Sequence, residues 1–132
     1  MERIGIFGGT FNPVHIGHIQ AAKQALTALH LDRVLLIPDH IAPHKELPTG
    51  SPTPQQRLDM LRIAVQDCPG LEISDIELRR EGVSYTYLTI QELKRMYPHD
   101  QLVLLMGTDM FTSFDSWRNP EEILKNASLG VF

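Results

Sequence analysis

Hydrophobic positions along the chain follow two spacings. Short apolar runs at Arg3 to Phe7, Val34 to Ile37 and Leu102 to Met106 read as strands covered on both faces. Between them, apolar residues recur at helical spacing. Ile19, Ala22, Ala25, Leu26 and Leu29 form the stripe of a helix from about Val14 to Leu29, and Leu58, Leu61, Ala64 and Val65 that of a helix near Gln55 to Gln66. A strand is expected within Leu71 to Leu78, with Leu71, Ile73 and Ile76 supplying its apolar side chains. Thr86, Ile90, Leu93 and Tyr97 mark a third helix, capped by Ser84 or Thr86 and closed by Pro98. A short amphipathic piece at Pro120 to Lys125 leads to a last apolar run, Leu129 to Phe132. Strand and helix therefore alternate throughout.

That alternation predicts an α/β protein: a Rossmann-like, doubly wound parallel sheet of about five strands, with right-handed crossovers and helices on both faces. One exception interrupts it. Five of the nine prolines fall between Pro38 and Pro54, which makes this an irregular loop. Long loops in compact domains tend to be functional, and this one leaves the carboxyl end of a parallel strand, where open α/β sheets place their ligands. The polar segments at 8 to 18, 39 to 45 and 107 to 109 all follow predicted strands, so they should share one rim.

Composition narrows the picture. The 132 residues, 42% hydrophobic and 21% charged, suit a single domain spanning 1–132. A net charge of -4 without any Lys/Arg run argues against nucleic acid and against an anionic membrane surface as partners. The lone Cys68 can form no internal disulfide, and no signal-peptide pattern or membrane-spanning apolar run is present, so a cytoplasmic protein is expected.

Gly8-Gly9-Thr10-Phe11-Asn12-Pro13-Val14-His15-Ile16-Gly17-His18 reads as a phosphate-binding turn. Two glycines after a strand let backbone approach a ligand, and Pro13 suits the first turn of a helix whose N-terminal dipole favours an anion. His15 and His18 would lie on one helix face, with Gly17 leaving space for something flat. Neutral imidazoles can donate to phosphate oxygens without a permanent buried charge. A zinc site lacks its further ligands. His40, His44 and Lys45 add to the rim, Lys45 as a mobile charge for a second substrate's phosphate, while His30 and His99 are given no role. Asp109 either accepts from ribose hydroxyls, helps hold magnesium, or caps the short helix after it. Trp117 either stacks a planar ligand or packs in the core.

The stretch at 8 to 18 resembles the signature of the HxGH nucleotidyltransferases. Together with Pro43-His44-Lys45, Ser84-Tyr85-Thr86, Gly107-Thr108-Asp109 and Trp117, it resembles the bacterial nicotinate mononucleotide adenylyltransferases over essentially the whole chain. The literal His-Ile-Gly-His is shared with class I aminoacyl-tRNA synthetases, but the longer motif is more specific. The resemblance implies transfer of an adenylyl group from ATP, with Mg2+, to nicotinate mononucleotide, giving deamido-NAD and pyrophosphate. It also leaves open a nicotinamide mononucleotide or phosphopantetheine acceptor, a nucleotide-binding fragment without catalysis, and a homo-oligomer. By position, His18 and His15 become catalytic. Gly8, Gly9, Thr10, Phe11, Gly17, Gly107 and Asp109 would join them in binding ATP, and Asn12, Lys45, Thr86 and Trp117 would bind the mononucleotide. No protein side chain is assigned as a metal ligand, and Asn12 stands where many relatives carry Asp. The family's later Ser/Thr-rich motif ending in Arg has no counterpart in these residues, so the chain is expected to be truncated within its fifth strand.

Overall fold

A computed structural model describes residues 1–11, 13–40 and 47–132. Five strands form one parallel sheet: β1 Arg3–Gly9, β2 Arg33–Pro38, β3 Leu71–Ile73, β4 Gln101–Met106 and β5 Ser128–Val131, in the order β3-β2-β1-β4-β5. The helices are α1 Ile16–Ala28, α2 Pro54–Val65, α3 Thr86–Met96, α4 Thr108–Thr112 and α5 Pro120–Asn126, with a 3-10 turn at Phe114–Ser116.

Strand pleating divides the apolar runs between two cores. Val34, Leu36, Val103 and Leu105 face α1 and α2 and pack with Ile19, Ala22, Leu61 and Val65. Their neighbours Leu35, Ile37, Leu102 and Leu104 face α3 and α5 and pack with Ile90, Leu93 and Ile123. Helices thus cover both faces, as the pattern predicts. Cys68 packs half-buried beside the first core. Among the described residues no helix is long and apolar enough to cross a membrane.

Because β1 lies between β2 and β4, the chain reverses its direction of winding there, and a crevice opens beyond the carboxyl ends of β1 and β4. Several boundaries differ from the expected ones. Gly8 and Gly9 belong to β1 and pair with Ile37 and Pro38, so they are extended strand and form no turn. The left-handed residue is Phe11, at φ 49. Pro13 precedes α1, whose N-cap is His15. Neither Ser84 nor Thr86 caps α3: its N-cap is Tyr85, without a side-chain bond, and Thr86 is its first residue. β3 ends at Ile73, leaving Ile76 in a following turn but still buried.

Candidate active site

α1 begins with a capping box built from the two histidines. His15 Nδ1 accepts from the Gly17 N–H at 3.1 Å, and His18 Nδ1 accepts from the His15 N–H at 3.0 Å. Both bonds satisfy donors that a helix start leaves without intrahelical partners. Since each Nδ1 acts as acceptor, each neutral ring carries its proton on Nε2. The rings stack with centroids 3.7 Å apart, and neither Nε2 bonds to a described residue, leaving both donors for a ligand. Phe11, 3% exposed, sets its ring edge-on to His18 with centroids 5.0 Å apart.

Burial, followed by the charge His15 would carry, lowers the His18 pKa below 6.5. The unfolded chain therefore takes up this proton first, so the group's contribution to stability is complete above pH 6.5 and is lost as pH falls below it. In an NMR titration the His18 ring is expected to titrate below 6.5, and the neutral form of each ring to carry its proton on Nε2. An Nδ1–H signal from either ring would contradict the box.

The flat group over Gly17 turns out to be the His15 imidazole. A Cβ at Gly17 would stand 2.9 Å from His15 Cε1, so Gly17→Ala is expected to swing the ring off its cap. The lost cap costs about 1 kcal/mol, but alanine in place of a helical glycine returns up to a similar amount, so the urea midpoint should move little and the displaced ring is read from its NMR tautomer instead. Retention of the Nε2–H form by His15 in Gly17→Ala would show that the ring stays on its cap.

On the α3 side of β1 lies a cavity of about 370 Å³ lined by Gly8, Gly9, Thr10, Asp39, Glu77, Ser84, Tyr85, Thr86, Thr89, Trp117 and Arg118, among others. Gly8 and Gly9, at the carboxyl end of β1, line it, and the histidine pair does not. Of the residues expected at a site, Gly8, Gly9, Thr10, Thr86 and Trp117 line this cavity, whereas Phe11, His15, Gly17, His18, Gly107 and Asp109 do not. Trp117 also packs against Phe114, with centroids 5.2 Å apart. Gly107 is the N-cap of α4, so Asp109 does not cap this helix but stands in its first turn, exposed. Asn12, His44 and Lys45 lie outside the described residues. His40 is held by its backbone N–H, which donates to Ser84 Oγ at 2.8 Å.

Arg57, Glu77, Thr89 and Arg118 were not singled out by sequence reasoning, and Asp39 entered only as the start of the rim segment 39 to 45. Arg57 is fully buried; its Nη1 donates to the Thr10 carbonyl at 2.6 Å and lies 3.3 Å from Asp39 Oδ1, and its Nη2 donates to the Asp39 carbonyl at 2.9 Å. Thr10 Oγ1 donates to Asp39 Oδ2 at 3.0 Å. Together they tie the ends of β1 and β2 and hold Thr10 beside left-handed Phe11. The available signal was spacing: Arg57 stands four residues before Leu61 and eight before Val65, on the apolar stripe of α2.

The sequence profile of the cytidylyltransferase-like family matches residues 6–132. The chain belongs to this family. Among its curated relatives, a probable nicotinate-nucleotide adenylyltransferase of Shewanella sp. (strain MR-7) is 42% identical over 98% of this chain. One of Carboxydothermus hydrogenoformans is 44% identical over 93% of it. The chain spans 60% of the length of each of these relatives. A crystal structure from Vibrio parahaemolyticus, assigned as a nicotinate-nucleotide adenylyltransferase, superposes with a TM-score of 0.80 at 25% identity, covering 99% of this chain and 73% of that one. The nicotinic acid mononucleotide adenylyltransferase of Plasmodium falciparum, solved with NaAD, shares the fold at a TM-score of 0.80 and 16% identity, covering 100% of this chain and 75% of its own. In this chain the histidine box opens α1, and Gly8 and Gly9 at the carboxyl end of β1 line the cavity.

Proposed function

We propose that this cytidylyltransferase-like chain, read as one nucleotidyltransferase domain, transfers an adenylyl group from MgATP to nicotinate mononucleotide, giving deamido-NAD and pyrophosphate. The observation that carries the reading is that one segment joins the two features: Gly8, Gly9 and Thr10 line a cavity that Tyr85 and Trp117 also line, and the next residue, Phe11, sets its ring against His18, one of two Nε2–H donors at the start of α1. On this reading the histidines grip the triphosphate, and the cavity holds the mononucleotide with its ring near Trp117 and Thr86. Gly8 favours close approach, since a Cβ there would meet nothing nearer than 3.9 Å.

The acceptor's phosphate oxygen attacks the α-phosphorus; the bond from that phosphorus to the bridging oxygen breaks, and pyrophosphate leaves with its electron pair. The nucleophile is already anionic, so no general base is required. Catalysis then consists of alignment plus stabilisation of charge on the leaving group, a role this reading gives to the His15 and His18 Nε2–H groups. Among the described residues no cluster of three His, Cys, Asp or Glu side chains forms a metal cage. On this reading the metal enters as part of the ATP substrate.

Pyrophosphate release from MgATP, followed with nicotinate mononucleotide, nicotinamide mononucleotide and phosphopantetheine in turn, tests the proposal. Release with the first acceptor supports it. Release only with another acceptor, or ATP binding with no product, overturns it.

A further inference from the structure

The cavity combines aromatic surface, from Tyr85 and Trp117, with two carboxyls that are almost fully buried: Asp39 is 9% exposed and Glu77 7%. Asp39 is neutralised by Arg57. Glu77 is not matched in this way. Its Oε2 accepts from Thr89 Oγ1 at 2.7 Å and the Ser84 hydroxyl bonds to it as well, but no cation among the described residues comes within ion-pair distance. Among the described residues, the charges around it are engaged elsewhere. From the turn after β3, Arg80 donates to Thr89 Oγ1 at 3.2 Å and to Glu92 of α3 at 3.1 Å, and its carbonyl lies 3.1 Å from His40 Nδ1. From α2, Arg57 is taken by Asp39 and Thr10. Beyond the 3-10 turn, Arg118 lies over the Tyr85 ring at 4.3 Å, so the rim already stacks one planar cation.

A buried carboxyl that borders an open cavity and lacks a counter-ion is an incomplete ion pair. Nicotinate mononucleotide differs from most acceptors of similar size because its ring nitrogen bears the sugar and a permanent positive charge. We propose that Glu77 is a specificity-determining residue that reads this charge: it keeps its proton in the empty cavity and releases it to solvent when a pyridinium ring enters, forming the missing pair. This inference rests on the acceptor assignment made above. Burial first, and the charge of Asp39 next among the raising influences, push the Glu77 carboxyl up to about 7, against hydrogen bonds from Thr89 and Ser84 and the charge of Arg80. Glu77 is therefore poised to change its charge at neutral pH.

The test compares nicotinate mononucleotide with its 1,4-dihydropyridine form, which has the same phosphate and carboxylate on a neutral ring. Titration calorimetry of this chain in buffers of different ionisation enthalpy counts the protons exchanged, and the difference between the two ligands cancels the shared phosphate. At pH 7 the pyridinium form is expected to release about half a proton more than the dihydro form, the fraction still bound to a group titrating at about 7. The ratio of their affinities should rise about tenfold from pH 6 to pH 8, as the ionised fraction grows. In Glu77→Gln both the extra proton and the pH dependence should vanish. Equal proton counts with a flat ratio in the unaltered chain would overturn the role of Glu77 while leaving the acceptor assignment standing. Failure of nicotinate mononucleotide itself to bind would overturn both. If Glu77→Gln does not fold, the pH series on the unaltered chain decides alone.

Discussion

Arg57→Met is expected to cost about 3–5 kcal/mol of folding stability, the usual result of removing one partner from a buried ion pair. Arg57 is fully buried, so its charge has no access to water. Its guanidinium bonds the carbonyls of Thr10 and Asp39 and faces the Asp39 carboxylate. Methionine fills similar space but leaves two carbonyls without the guanidinium and a carboxylate that, among the described residues, is held only by the Thr10 hydroxyl. Most of the cost is the desolvation of what remains, rather than the strength of the lost bonds. A second substitution that removes the Asp39 charge should therefore recover part of it. In a double-mutant cycle, Arg57→Met with Asp39→Asn is expected to lose clearly less than the sum of the single losses. Urea midpoints measure all three variants. A single-variant cost below about 1 kcal/mol, together with additive behaviour, would mean that water reaches the pair.

The three central strands, β2, β1 and β4, were legible because each carries a run in which both pleat faces are apolar, as in Val34 to Ile37, and such runs have few other uses in an alternating chain. The rim followed from topology, since polar segments after parallel strands meet at one end. What escaped depends on local geometry that residue type does not reveal. Gly8 and Gly9 suggested a turn, yet they extend β1, and the left-handed position falls on Phe11, a residue type seldom found there. The histidine spacing pointed to one helix face, but not to a box that consumes each Nδ1 and thereby orients each Nε2. Glu77 lay within a stretch read as strand, where alternation would have turned it away from Ile76. Because β3 stops at Ile73, both residues are buried. Arg57 was hidden by the ordinary assumption that a charged helix residue faces water.

His18→Ala is expected to lower turnover by about 10²- to 10³-fold, the effect of deleting one donor to developing transition-state charge. Mononucleotide affinity should change little, because the cavity lies beyond Gly8-Gly9 and His18 does not line it. His18 also closes the capping box on the His15 N–H, so some loss could come from a frayed helix start rather than from a missing donor. Glutamine separates the two roles, since at the third helical position it reaches back to the same N–H in the common form of the box. His18→Gln should thus keep the urea midpoint near that of the unaltered chain, whereas His18→Ala should lose about 1 kcal/mol. Turnover should stay low in both, because a glutamine whose oxygen is spent on the cap does not place an N–H where the imidazole Nε2 stood. If turnover instead follows stability across the two variants, His18 acts only as a cap and the phosphate grip must be sought elsewhere on the rim. Unchanged turnover in His18→Ala would remove it from the mechanism altogether.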